Sequence, residues 1–78
     1  MTNLEKYNAA FISSFQVEES KLGALTYQSI QDWDSVGHMG LMSVLEDSFD
    51  IMLDTDDIID FSSYEKGKEI LKKYDVVI

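Results

Sequence analysis

The chain has no cysteine. Its 78 residues therefore have no disulfide and no Cys-ligated zinc to hold them, and the fold has to rest on apolar packing. A domain this short buries only roughly 60% of the surface of its unfolded chain. That leaves room for one domain over residues 1–78 with one small core, and little room for a deep enclosed active site. Hydrophobic residues make up 45% of the chain and charged residues 27%, with no proline, a globular balance rather than a disordered one. No apolar run approaches the roughly 20 residues that cross a membrane. The start MTNLEKYNAA lacks the basic and apolar regions of a signal peptide, so a cytoplasmic protein is expected.

Apolar spacing indicates helices. Leu4, Tyr7, Phe11 and Phe15 recur at three and four residues over a first helix from about Thr2 to Phe15, and Thr2 with Glu5 has the spacing of a capping box. Residues 16–33 are a long mixed connection with room for one short helical turn. Long connections in small domains tend to be functional. A second helix starts at Asp34 or Ser35 and ends near Phe49. On a helical projection Met39, Leu41, Met42, Leu45 and Phe49 share one arc with His38, and Val36, Gly40, Ser43, Val44 and Asp47 take the other side. A brief third helix over Thr55–Phe61 has Ile58, Ile59 and Phe61 as anchors, and Ser62 with Glu65 again has capping-box spacing. The last helix points Tyr64, Gly67, Leu71 and Tyr74 inward, with Lys72 and Lys73 near its C-terminus, where the dipole favours cations. No strand or repeat stands out. The expected fold is all-α: a small four-helix bundle with a long loop between helices 1 and 2 and a short third helix.

Charge is concentrated in the middle. Of a net charge of −9, residues 32–63 hold nine acids and no base, and all six bases are lysines outside that stretch. Such a surface repels nucleic-acid phosphates and anionic lipid heads. It favours partners with basic patches, with encounter rates that weaken in salt, and it also serves plain solubility.

The most informative stretch is Trp33-Asp34-Ser35-Val36, followed by a helix that closes Leu45-Glu46-Asp47-Ser48-Phe49-Asp50-Ile51 and by Ile58-Ile59-Asp60-Phe61. It resembles the attachment motif of acyl carrier proteins, Asp-Ser-Leu opening a helix that ends Leu-Glu-acid-x-Phe. The diagnostic part spans about residues 30–60, and the total length suits a carrier. The resemblance implies an acyl-carrier-like bundle with phosphopantetheine as covalent cofactor on Ser35. Asp34 would assist the magnesium-dependent loading step. It also implies a non-enzymatic monomer that carries an acyl or aminoacyl group as a thioester. Its partners would be a phosphopantetheinyl transferase, a loading ligase or synthase, and an acyl-accepting transferase. Val36, Val44, Glu46, Asp47, Asp56 and Asp57 would form the face these partners meet. Met39, Met42, Leu45, Phe49, Ile58 and Phe61 are the candidates for an acyl pocket. A hydroxyl at a helix start is presented rather than packed, and the first-turn N–H groups favour a phosphodiester there.

Three departures from the family pattern matter. Val36 stands where leucine is usual, and Gly37 and Gly40 stand where acids often sit. They point away from housekeeping fatty-acid synthesis and toward a specialised pathway. Two glycines in a helix also cost roughly 1 kcal/mol each against alanine.

Other readings of these residues are weaker. Asp34 and Ser35 can act as a helix cap alone. Ser35 and the single histidine, His38, have the spacing of a nucleophile and base, but nothing in the sequence orients the ring. His38 is expected at the edge of the core, beside a cavity mouth and bonded to backbone. Trp33 is equally suited to anchor an interface or to pin the long loop. Asp54, Asp56 and Glu65 fall at EF-hand positions 1, 3 and 12, yet Ile58 and Ile59 occupy positions that need a ligand and a glycine. The functional alternative to a carrier is an unmodified acidic helical interaction module of the same fold.

Overall fold

Three side-chain caps decide where the longer helices begin. In the computed structural model, which describes Met1–Ile78, Thr2 and Glu5 close a reciprocal capping box at the start of α1 (Asn3–Phe15). Asp34 Oδ1 accepts from the Gly37 N–H (2.8 Å) and opens α2 (Ser35–Phe49). Ser63, not the expected Ser62, caps α4 (Tyr64–Lys72) by accepting from the Lys66 N–H. A six-residue α3 (Thr55–Asp60) lies between α2 and α4, and a 3-10 helix occupies Glu19–Ala24 within the long connection. The chain is thus a mostly helical domain of five helices with no strand. Its radius of gyration is 11.2 Å, compact for this length, where about 11.5 Å is expected.

The core is aromatic. Tyr7, Phe11, Phe15, Trp33, Phe61 and Tyr64 are all buried. Phe15 stacks on Trp33 with ring centroids 5.2 Å apart, while Phe11 meets Trp33 and Tyr64 edge-on at 5.6 and 5.2 Å, the offset and T-shaped geometries that aromatic quadrupoles favour. The Tyr7 hydroxyl donates to the Tyr64 carbonyl (2.6 Å) and the Tyr64 hydroxyl to Asn8 Oδ1, so these rings bury no unsatisfied oxygen. Gly67 is required here, because a Cβ would lie 2.1 to 2.2 Å from the Phe61 ring and the Tyr7 hydroxyl.

The long connection is fixed rather than slack. Leu22, Leu25 and Trp33 are buried, which settles Trp33 as the pin of the loop. Tyr27 N–H donates to the Ser62 carbonyl (2.8 Å) and Tyr64 N–H to the Leu25 carbonyl (3.0 Å), an isolated bridge centred on Thr26 and Ser63. Gly37 is likewise a packing residue, since a Cβ would fall 2.0 Å from the Asp32 carbonyl oxygen. Its role is close approach of the loop to α2, not thinning of a surface. At Gly40, by contrast, a Cβ meets open space.

Three expected core positions and one expected outward position are corrected. Leu4 is 43% exposed, and Ala10 takes its place on the inner face of α1. Met39 and Ile59 are 53% and 72% exposed rather than packed. Val44, expected outward, is half-buried against the core. The C-terminal tail packs: Val76 is buried, and the Asn3 side chain donates to the Val77 carbonyl.

Candidate functional site

Ser35 is the first residue of α2 and is exposed. Asp34 does the capping, so the serine hydroxyl is not needed for it. The backbone N–H groups of Ser35 and Val36 belong to the first turn and have no partner within the helix, which leaves a positive end beside the hydroxyl. Val36 is 80% exposed next to it.

A cavity of about 350 Å³ opens at Ser35. Its walls are Tyr27, Met39, Ile58, Ile59 and Phe61, and His38, Ser35 and Ser62 complete it. Three parts of the fold assemble it. Helix α2 brings Ser35, His38 and Met39 to one side at spacings of three and four. Helix α3 supplies Ile58 and Ile59. The bridge at Thr26 and Ser63 sets Tyr27 and Ser62 at the far edge. The cavity therefore lies beside the core, not within it. Met42 and Leu45, expected to line such a space, are fully buried in the packed core, and Phe49 packs against that core. Met39, Ile58 and Phe61 do line it. Tyr27 and Ser62 had no signal in periodicity, because a backbone bridge between distant segments places them.

His38 is buried, with both ring nitrogens engaged. The Trp33 indole N–H donates to Nδ1 (2.9 Å), and Nε2 lies 2.7 Å from the Ile58 carbonyl. An indole can only donate, so Nδ1 must accept and Nε2 carries the proton. The histidine thereby ties α2 to α3 and to the loop. It is not free to act as a base toward Ser35, so the nucleophile–base pair is not assembled.

The acids divide into two groups. Asp47, Asp56 and Asp60 are exposed. Glu46 is half-buried and accepts from the Leu53 N–H (2.9 Å), which ties the segment after α2 back onto that helix. Asp57, expected on a partner-facing surface, is buried. Its carboxylate accepts from Lys73 Nζ (2.8 Å) and from the Tyr74 hydroxyl (2.5 Å). Lys73 and then Tyr74 hold its carboxyl below the usual carboxylate range, and Asp57 in turn raises Lys73. The same tyrosine hydroxyl accepts from the Asp54 N–H (2.9 Å). These bonds pin α3 to the end of α4, and residues 55–60 are helix rather than the ligand loop that an EF-hand reading needs. No cluster of three or more metal-ligating side chains is present, and no helix is long and apolar enough to cross a membrane. No protein-family model, no curated protein and no solved structure matches the chain.

Proposed function

We propose that the chain is an acyl-carrier-type protein in which the Ser35 oxygen is the attachment point of a phosphopantetheine arm, on a four-helix carrier bundle elaborated by the 3-10 turn. The observation that carries this reading is the coincidence of three features. An exposed serine opens α2, an Asp caps that helix, and a mostly apolar cavity begins at the same serine. The residues fit the group: Ser35 is accessible, and the first-turn N–H groups of α2 suit a phosphodiester. The arm supplies the thiol that a chain without cysteine lacks. Asp34 has one carboxylate oxygen on the Gly37 N–H and keeps the other for the magnesium-dependent loading step. Of the expected partner face, Val36, Asp47 and Asp56 are exposed, and basic surfaces of a phosphopantetheinyl transferase, a loading ligase or synthase and an acyl-accepting transferase would meet them. Val44 and Asp57 drop out of that face because both are turned into the fold, and Glu46 because it is half-buried with its carboxylate on the Leu53 N–H. Clustered like charge of this kind speeds encounter more than it tightens complexes.

Incubation with coenzyme A, magnesium and a broad-specificity phosphopantetheinyl transferase, followed by intact mass measurement, tests the reading. A gain of one phosphopantetheine on Ser35, lost in Ser35→Ala with helical content unchanged, is the expected result. Asp47→Lys slows loading more at low salt than at high salt. A wild-type chain that gains nothing, or a Ser35→Ala chain that still gains the arm, defeats the assignment; the first result leaves an unmodified acidic interaction module.

A further inference from the structure

Gly37 is used twice at the start of α2. Its N–H donates to Asp34 Oδ1 (2.8 Å). The place where its Cβ would stand lies 2.0 Å from the Asp32 carbonyl oxygen and 3.3 Å from the edge of the Phe15 ring. Its φ is not positive, so the glycine gives the backbone no special conformation, and in a helix it is a poor choice against alanine. What it supplies is room. We infer that Gly37 is a positioning residue for Ser35 and sets where the serine hydroxyl stands when the arm is transferred, an inference that rests on the carrier reading. The segment that leads into Ser35 is held against Gly37 at both ends, by the Asp32 carbonyl and by the Asp34 carboxylate. Between them Trp33 is locked. It is buried, stacked on Phe15 and bonded through its indole to His38, and its carbonyl accepts from the Gln28 N–H (2.9 Å). A Cβ on Gly37 has to part from the Asp32 oxygen by more than about 1 Å to reach van der Waals contact. Buried His38 and Leu41 fix the helix that follows, so the displacement falls on exposed Asp34 and Ser35. In the transfer, Ser35 Oγ attacks the phosphorus of coenzyme A that bears the pantetheine arm. The Oγ–P bond forms as the bond from that phosphorus to the bridging pyrophosphate oxygen breaks. Adenosine bisphosphate leaves with the electron pair, and the serine proton passes to a base of the transferase. Attack has to come in line with the leaving oxygen, and a nucleophile misplaced by about 1 Å costs on the order of a hundredfold in rate.

The same substitution at two glycines of one helix tests this. Gly37→Ala and Gly40→Ala are each loaded from coenzyme A by a broad-specificity phosphopantetheinyl transferase. The kcat and the KM for the chain are measured separately, and helical content is followed by circular dichroism. At Gly40 a Cβ meets open space, so Gly40→Ala should load as the wild type does. Gly37→Ala should lose roughly ten- to a hundredfold in kcat while KM changes by less than about twofold, since Val36, Asp47 and Asp56 still meet the transferase. Its amide resonances should shift at Asp34 and Ser35 and stay in place at Leu41 and Leu45. A merely weakened fold gives the opposite split. The chain is the transferase's substrate, so an unfolded fraction raises the apparent KM and leaves kcat alone. A Gly37→Ala chain with wild-type kcat, or with a loss in KM only, overturns the proposal. So does a Gly40→Ala chain that loads as slowly as Gly37→Ala. A Gly37→Ala chain that fails to fold even with Gly40→Ala beside it also overturns the proposal, because the glycine then holds up the whole domain rather than one hydroxyl. A wild-type chain that gains no arm is a different result: it removes the carrier reading, and this role with it.

Discussion

The α1 side of the molecule and the α3 side are held by different forces. Around α1 and the long loop, Tyr7, Phe11, Phe15 and Trp33 interlock with almost no exposure, so this region is sealed by apolar area and ring geometry. Helix α3 has six residues, and one of its two isoleucines stands 72% exposed. It is held instead by polar ties: the Ile58 carbonyl to His38 on one flank, and Asp57 and Asp54 to Lys73 and Tyr74 on the other. A helix of that length does not persist alone. Apolar packing fails all at once, whereas single hydrogen bonds can open one at a time. The cavity wall beside Ser35 therefore belongs to the low end of the local stability range, and the aromatic side to the high end.

That contrast can be broken or sharpened by substitution. The largest effect is expected from Phe11→Ala, which empties the centre of the ring cluster. It should cost about 3 to 5 kcal/mol in urea unfolding, and a loss under about 1 kcal/mol would remove the distinction. Trp33→Phe comes next. It keeps most of the ring area but leaves the buried His38 Nδ1 without its donor, a loss of about 1 to 3 kcal/mol. Gly40→Ala should act in the opposite sense. Its Cβ meets open space, and α2 serves both sides, so unfolding stability should rise by roughly 1 kcal/mol with both sides gaining together. Asp57→Asn should have the smallest global effect and the most local one. Amide exchange should speed up in α3 and the last turn of α4 while the amides of α1 keep their protection. The pH dependence has a definite sign. Asp57 is held below the usual carboxylate value, so the stability it lends is complete above about pH 4. That stability fades as pH falls through the lower folded value. Asp57→Asn should flatten that part of the acid-unfolding curve.

Much of the helical layout was legible because its signals are local. The Thr2–Glu5 box and the Asp34 cap are where the spacing put them. The rhythm of Tyr7, Phe11 and Phe15 marks the buried face of α1. The site was legible only in part. Ser35, Asp34, Met39, Ile58 and Phe61 emerged from a continuous stretch of sequence. Tyr27 and Ser62 did not, since two backbone hydrogen bonds across the Thr26–Ser63 bridge bring them in, and backbone pairing leaves no mark in side-chain pattern. The misplacement of Asp57 has a similar origin. An acid in an acidic run looks solvated until a lysine and a tyrosine 16 and 17 residues further on close around it. Glycine misled for the opposite reason: propensity marks Gly37 as a weakness, but the carbonyl of Asp32 leaves no space for any other residue.

The one tryptophan of the chain lies nearly parallel to the imidazole of His38, within 16°, and is hydrogen-bonded to it. His38 in turn forms part of the cavity lining and holds α3 through a single carbonyl. The molecule thus carries its own optical probe, one bond removed from the space beside Ser35. Anything that fills that space or lifts α3 changes the polarity and hydrogen bonding felt by the indole. Its emission then reports occupancy directly, with no label and no second tryptophan to subtract.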